Sequence, residues 1–450
     1  MIQCVLGTVV GDPLDPMPCQ GCMQEADRLT EAGPTHWFDY RKDDVLNTRL
    51  EAASLEQLKV FKYRSRPLGK LVLPSLRWAM RKHDLENDSL TLPLYRRMIA
   101  SAHQVAEGFE DLLRQVDPRA VVVFNGLQFP EAVVKWISRQ EGIRTITHEV
   151  GFQPLSAFFS AGEATAYPIE IPGSFQLTKS QDRRLDEYLQ KRFQGDFTMA
   201  GIQFWSEIQD HDPELDRLMK KFLQMVVVFT NVSFDTSQAH ANVIFESMFA
   251  WLDAVLKLAK EYPDTLFVIR AHPDELRAGK ESRETVEEWL RDQIGEEVDN
   301  LYFIGPNQPF SSYEIIRKAK FSLVYNSSIG LEASVLGEPV LCGGQARYTQ
   351  YPTVFLPENR QKFQDLARKM LEADEISVPE NFQENARRFL YYQLFKVSLP
   401  FDEFLMDHPL PGYVKLKGFE MEQLQSPRSQ TLKILREGIL EGKDFVIGDS

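Results

Sequence analysis

The chain has 450 residues, 43% hydrophobic and 26% charged, a balance that fits a soluble globular protein with more than one core. At about 150 residues per domain, this length predicts two or three domains. The 51 Lys+Arg against 65 Asp+Glu give a net charge of −14, which repels a phosphate backbone and argues against nucleic-acid partners, while a local basic pocket for one small anion stays allowed.

The N-terminus has no basic n-region, and Asp12, Pro13, Asp15 and Pro16 interrupt it, so no signal peptide is expected. The glycosylation triplets at Asn87 and Asn231 then read as chance matches. Four cysteines in a chain this long make no disulfide scaffold, so reduced thiols and a cytoplasmic location are expected. Cys19 and Cys22 form a Cys-x-x-Cys pair with only Cys4 and His36 as nearby further ligands. Tetrahedral zinc takes four ligands, usually as two close pairs, so no metal site is predicted and reduced thiols in a turn remain.

Residues 36–115 read as mostly helical, with a basic stretch, Arg64 to Lys82, that fits either a solvated helix face or a surface for an anionic acceptor. Ala120–Phe124 is a continuous apolar run, read as a buried parallel strand ended by Asn125-Gly126. A helix follows over about 130–140, and Arg144–Glu149 is the next strand, giving a βαβ unit with polar residues at both strand ends. The charged stretch 175–222 reads as helical connectors between two α/β domains.

A second alternation starts at Met225–Thr230 and continues through a helix at 242–261, a strand at 265–270 and a helix at 284–294. Strand 301–304, helix 313–319, strand 321–325, a helix from 326–328 to Leu336 and strand 339–342 complete it. Such alternation predicts a parallel sheet with right-handed crossovers. Domains are expected at 1–218, 219–395 and, as a helical tail, 396–450. No apolar run approaches the ~18–20 residues that span a bilayer.

Ligands of doubly wound sheets sit beyond the strand C-termini, so the residues there are the candidates. Arg270 and His272 alternate onto one face of a strand end, where a guanidinium fork and an imidazole suit phosphate oxygens. A structural Arg–carboxylate pair fits the same residues. Asn326, Ser327 and Ser328 open a helix, and Glu332 lies one turn on, placed to accept from ribose hydroxyls. The alternative is an N-cap with a surface Glu, although Leu331 rules out a capping box. Asn231 and Ser233 close the first strand of the second unit, as ligand contacts or as a plain turn. Asn125, His148 and Glu149 end the strands of the first unit. Glu149 suits a general base if the two domains face each other, or a helix-capping carboxylate if they do not.

Taken together, Phe267–Pro273, Ser311-Ser312-Tyr313, Tyr325–Ala333, Gly337–Val340 and Gly344–Tyr348 resemble the C-terminal half of GT-B glycosyltransferases. The closest resemblance is to the capsule polysaccharide biosynthesis proteins, which include Kdo transferases. It spans about 225–355 and implies an α/β protein with two Rossmann-like domains whose parallel sheets face a central cleft. It implies a metal-independent glycosyltransferase that uses no cofactor beyond its nucleotide-sugar donor. By position, Arg270, His272, Asn326, Ser327 and Ser328 would hold donor phosphate or sugar and Glu332 the ribose. Asn231 and Ser233 would face the same cleft. Asn125 and His148 would lie on the acceptor side, with Glu149 and His272 as the catalytic pair. The acceptor implied is a surface or capsular glycan or glycolipid, with peripheral membrane association allowed. Two alternatives stay open: a nucleotide-sugar 2-epimerase, and a non-catalytic nucleotide- or glycan-binding subunit. No opening strand–glycine loop–helix unit precedes Cys19, so a trimmed or rearranged first domain is expected.

Overall fold

The computed structural model describes residues 41–193, 212–277, 281–294, 298–409, 413–425 and 428–448, with scattered positions between 24 and 38. Two compact units form, one from residues 1–148 and 161–165, the other from 149–160 and 166–450. The fold is α/β with parallel sheets, as the alternation predicts.

In the first unit, β1 (Ala120–Phe124) runs parallel to β2 (Arg144–Val150), in register from Ala120↔Arg144 to Phe124↔His148. The crossover helix Glu131–Gln140 buries Ala132, Val133 and Ile137. Among the described residues this is the unit's single βαβ crossover, and helices form the rest. The long helix Thr91–Val116 buries Leu94, Tyr95, Met98, Ile99, Ala102, Ala106, Phe109 and Leu113, a stripe at helical spacing that packs on Leu68, Val72 and Leu76. Within the basic stretch, Arg66 is not on a solvated face. A left-handed turn at Arg64 and Ser65 aims it inward, where it pairs with Glu107 at 2.5 Å and Glu110 at 2.7 Å.

The second unit contains a five-stranded parallel sheet. Its strands are β4 (Gln224–Phe229), β5 (Thr265–Arg270), β6 (Leu301–Ile304), β7 (Phe321–Val324) and β8 (Val340–Cys342), in spatial order β6-β5-β4-β7-β8. Val226, Val227, Val228, Phe267, Val268 and Leu323 are buried, because helices cover both faces of such a sheet. The helix Met248–Glu261 packs Trp251, Val255 and Leu258 on one face. It starts at Met248 rather than at 242. Asn242 donates its carboxamide to Glu246 O at 2.8 Å and accepts from Tyr325 Oη, and Ser247 then caps the helix through Ala250 N–H. Likewise Thr285 and Glu288 form a capping box that starts the next helix at Val286.

The C-terminal stretch, expected to be helical, also holds strands. β3 (Ser156–Ser160) pairs antiparallel with β9 (Leu399–Pro400), and β10 (Leu405–Asp407) pairs with β11 (Val414–Leu416), before the helix Gln430–Glu441.

After β8 the backbone passes so close to the core that a side chain has no room. Gly343 N–H donates to Val324 O and Gly344 N–H to Tyr325 O, both at 2.8 Å, and a Cβ on Gly343 would lie 2.3 Å from the buried Trp251 indole. Gly343→Ala is expected to lower stability by about 1–3 kcal/mol, read from the urea midpoint, through this overpacking.

Candidate functional site

The site is built at the C-terminal ends of β4, β5, β7 and β8. β4 is the switch point of the sheet, with β5 on one side and β7 on the other, and a crevice opens there in doubly wound sheets. The register fixes the levels: Phe229↔Arg270 and Phe229↔Val324 put the three following loops side by side.

The loops are joined by polar contacts. Asn326 N–H donates to Asn231 Oδ1 at 3.4 Å, its carboxamide donates to Ser237 Oγ at 3.3 Å, and its Oδ1 accepts from Gln238 at 3.2 Å. Ser233, buried, donates to Glu284 at 3.2 Å. His272 Nδ1 accepts Asp274 N–H at 3.1 Å. Burial holds the His272 pKa below its ordinary value, against the nearby Asp274 and Asp235 carboxylates. The neutral ring therefore carries its proton on Nε2, which is left as the donor nitrogen. Structure and spacing thus bring together Asn231, His272 and Asn326, with Asp235 as a further member.

Arg270 is 4% exposed, and its two terminal nitrogens donate to Gly305 O at 2.8 Å and Gln308 O at 2.7 Å. Its fork therefore holds the loop after β6, and burial pushes its pKa down to about 10. Ser327 is buried, and its carbonyl accepts from Tyr348 Oη at 2.8 Å. Ser328 stands at the start of the two-turn helix Ile329–Val335 and makes no side-chain cap.

Glu332 is 4% exposed, neither a surface residue nor an open carboxylate. One oxygen accepts from Arg192 Nε at 2.9 Å and its terminal nitrogen at 2.6 Å, and the other accepts from Tyr313 Oη. Arg192 comes from the helix Lys179–Phe193, read from sequence only as a charged connector. Removing one member of such a pair leaves the other buried and uncompensated. Glu332→Gln is expected to lose about 3–5 kcal/mol of stability, measured by denaturant unfolding, with Tyr313→Phe losing less.

Glu149 lies in the second unit, and its carboxylate neighbours Tyr167. Burial first, then Glu149 and Asp235, raise the Tyr167 phenol pKa. Asn125 and His148 lie in the first unit. Asn125 adopts φ 59°, its N–H donates to His148 O at 2.7 Å, and its side chain accepts from Leu127 and Gln128 N–H groups. The His148 ring packs 5.3 Å from Phe124, and burial holds its pKa down.

Sequence reasoning passed over Glu275. It is 1% exposed, with one oxygen accepting Val286 N–H at 3.3 Å and the other without a partner among the described residues. Burial, and then the charges of Glu288 and Glu287, raise its pKa to about 8. The unfolded chain ionises this group near the ordinary value of 4.5, and the folded protein only near 8, so its contribution to stability falls as pH rises across that window. Wild type is expected to lose melting temperature from pH 5 to pH 8 relative to Glu275→Gln, a difference read by calorimetry at matched ionic strength.

Among the described residues no group of three or more His, Cys, Asp and Glu is placed to hold a metal ion, and no helix is long and apolar enough to cross a membrane. Cys4, Cys19 and Cys22 lie outside the described residues.

Residues 182–353, which carry the tips after β4, β5 and β7, match the family of capsule polysaccharide biosynthesis proteins. The matched segment lies wholly within the second unit and takes in its five-stranded sheet. Nothing among the curated proteins matches the chain. Solved structures give distant likenesses. A KpsC β-Kdo 2,7 transferase of Thermosulfurimonas dismutans is 16% identical over 65% of this chain and 81% of that one, with a TM-score of 0.38. A UDP-GlcNAc 2-epimerase of Neisseria meningitidis, solved with UDP-GlcNAc, is 15% identical over 71% and 95%, with a TM-score of 0.29. A sucrose-phosphate synthase of Thermosynechococcus elongatus is 14% identical over 65% and 74%, also at 0.29.

Proposed function

We propose that the protein is a glycosyltransferase that moves a sugar from a nucleotide-sugar donor to a surface or capsular glycan acceptor. One observation carries this reading. The polar tips after β4, β5 and β7 are hydrogen-bonded or electrostatically coupled to one another at the switch point of a parallel sheet, inside the segment that matches the capsule polysaccharide biosynthesis family.

In this reading the His272 Nε2–H, the Asn326 side chain and the Ser327 and Ser328 hydroxyls surround the donor phosphate. Arg270 acts by holding the loop at 305–308 in place. The bond from the sugar to the phosphate oxygen breaks and a bond to an acceptor hydroxyl forms, with the hydroxyl proton passing to Glu149. Donors fixed on the leaving phosphate stabilise the charge that develops there, with no reorganisation at the moment of transfer.

Calorimetry against CMP, UDP, GDP and their sugars tests the reading. At least one is expected to bind, and His272→Ala to weaken it about tenfold, the loss of one hydrogen bond to a charged group. Absence of binding by every nucleotide would overturn the proposal. Conversion of the sugar with no acceptor present would mark an epimerase instead.

A further inference from the structure

Arg347 stands apart from the other arginines of the second unit that are not exposed. Arg192 is paired with Glu332, Arg270 with two backbone carbonyls, Arg387 with Asp182 and Asp186, and Arg388 donates to Phe175 O. Arg347 has no carboxylate partner among the described residues. Its Nε donates to Gln393 Oε1 at 2.9 Å, and its guanidinium carbon lies 4.6 Å from the Phe152 ring centre and 5.7 Å from that of Tyr167. Nε is thus held from one side and the aromatic rings fix the plane, while no described side chain or carbonyl accepts from the two terminal nitrogens. Arginine draws its specificity from that remaining edge, a planar pair of donors matched to two oxygens of a phosphate or carboxylate.

Its position fits such a role. Arg347 opens the turn Arg347–Gln350 after β8, and its neighbour Tyr348 fixes the Ser327 carbonyl. Tyr167, under the guanidinium, senses both Glu149 and Asp235, and Asp235 in turn acts on His272. Burial first, and then the nearby Arg192 charge, disfavour the Arg347 cation, while Glu332 favours it, and a bound anion would favour it further.

We propose that Arg347 binds an oxyanion of the donor through its two terminal nitrogens, with Gln393, Phe152 and Tyr167 holding the guanidinium in the receiving orientation. The inference rests on the donor-binding reading above. The oxyanion comes either from the nucleotide phosphate or from a carboxylate on the sugar.

The test compares wild type, Arg347→Gln and Arg347→Lys by calorimetry, with melting curves as the check on folding. A phosphate contact predicts that Arg347→Gln weakens UDP, CMP or GDP by about ten- to hundredfold and leaves the matching nucleoside unchanged, with Arg347→Lys between. A carboxylate contact predicts an unchanged nucleotide but a loss of the same size for UDP-glucuronate relative to UDP-glucose, or for CMP-N-acetylneuraminate relative to CMP. Equal affinities for all probes in wild type and variant overturn the role of Arg347 and leave the donor-binding reading standing. If wild type binds no probe, both fall. If the variants do not fold, phenylglyoxal modification of wild type decides. Arg347 is expected to react and to be protected by the bound nucleotide or nucleotide sugar, while Arg270, its fork engaged, stays unreactive in both states. Unprotected Arg347 overturns the proposal.

Discussion

Everything at the site depends on one pairing constraint: β4 is hydrogen-bonded in parallel to both β5 and β7. Parallel strands end at the same level, and a crossover helix must carry the chain back before each new strand begins. Three loops far apart in sequence therefore emerge as neighbours. The contact between Asn231 and Asn326, 95 residues apart, is a consequence of that arrangement rather than its cause. The apolar centres of these strands hold the arrangement in the core, since Val226, Val227 and Val228 are closed off from water on both faces.

A second layer of polar contacts fixes the tips. Arg270 ties the end of β5 to the loop after β6, and Tyr348 ties the turn after β8 to Ser327. The glycines at 343 and 344 let the chain pass beneath Tyr325 and against Trp251 to reach that turn. Packing and polar satisfaction thus serve the same geometry, as expected of a site carried on rigid elements.

The sheet was legible because its strands are short continuous runs of Val, Ile, Leu and Phe closed by polar residues. Thr265–Arg270 and Leu301–Ile304 fall where the pattern puts them. Helix starts were less legible where a local side-chain bond competes, as at Asn242 and Ser247. Side-chain partnerships across long separations left no local trace. Arg192 sits in a helix crowded with charge, and nothing nearby distinguishes it from Arg183 or Arg184, although it alone of the three meets Glu332 across 140 residues. Arg347 was visible within Gly344–Tyr348, but that it pairs with Gln393 and with no carboxylate among the described residues is a property of three dimensions.

The Arg192–Glu332–Tyr313 cluster bears on how such chains diverge. Glu332 accepts from both of the others in a largely buried setting, so losing one member destabilises the rest. Relatives should therefore tend to keep these three positions as a set or replace them together, and covariation among 192, 313 and 332 would be the evolutionary imprint of that cluster.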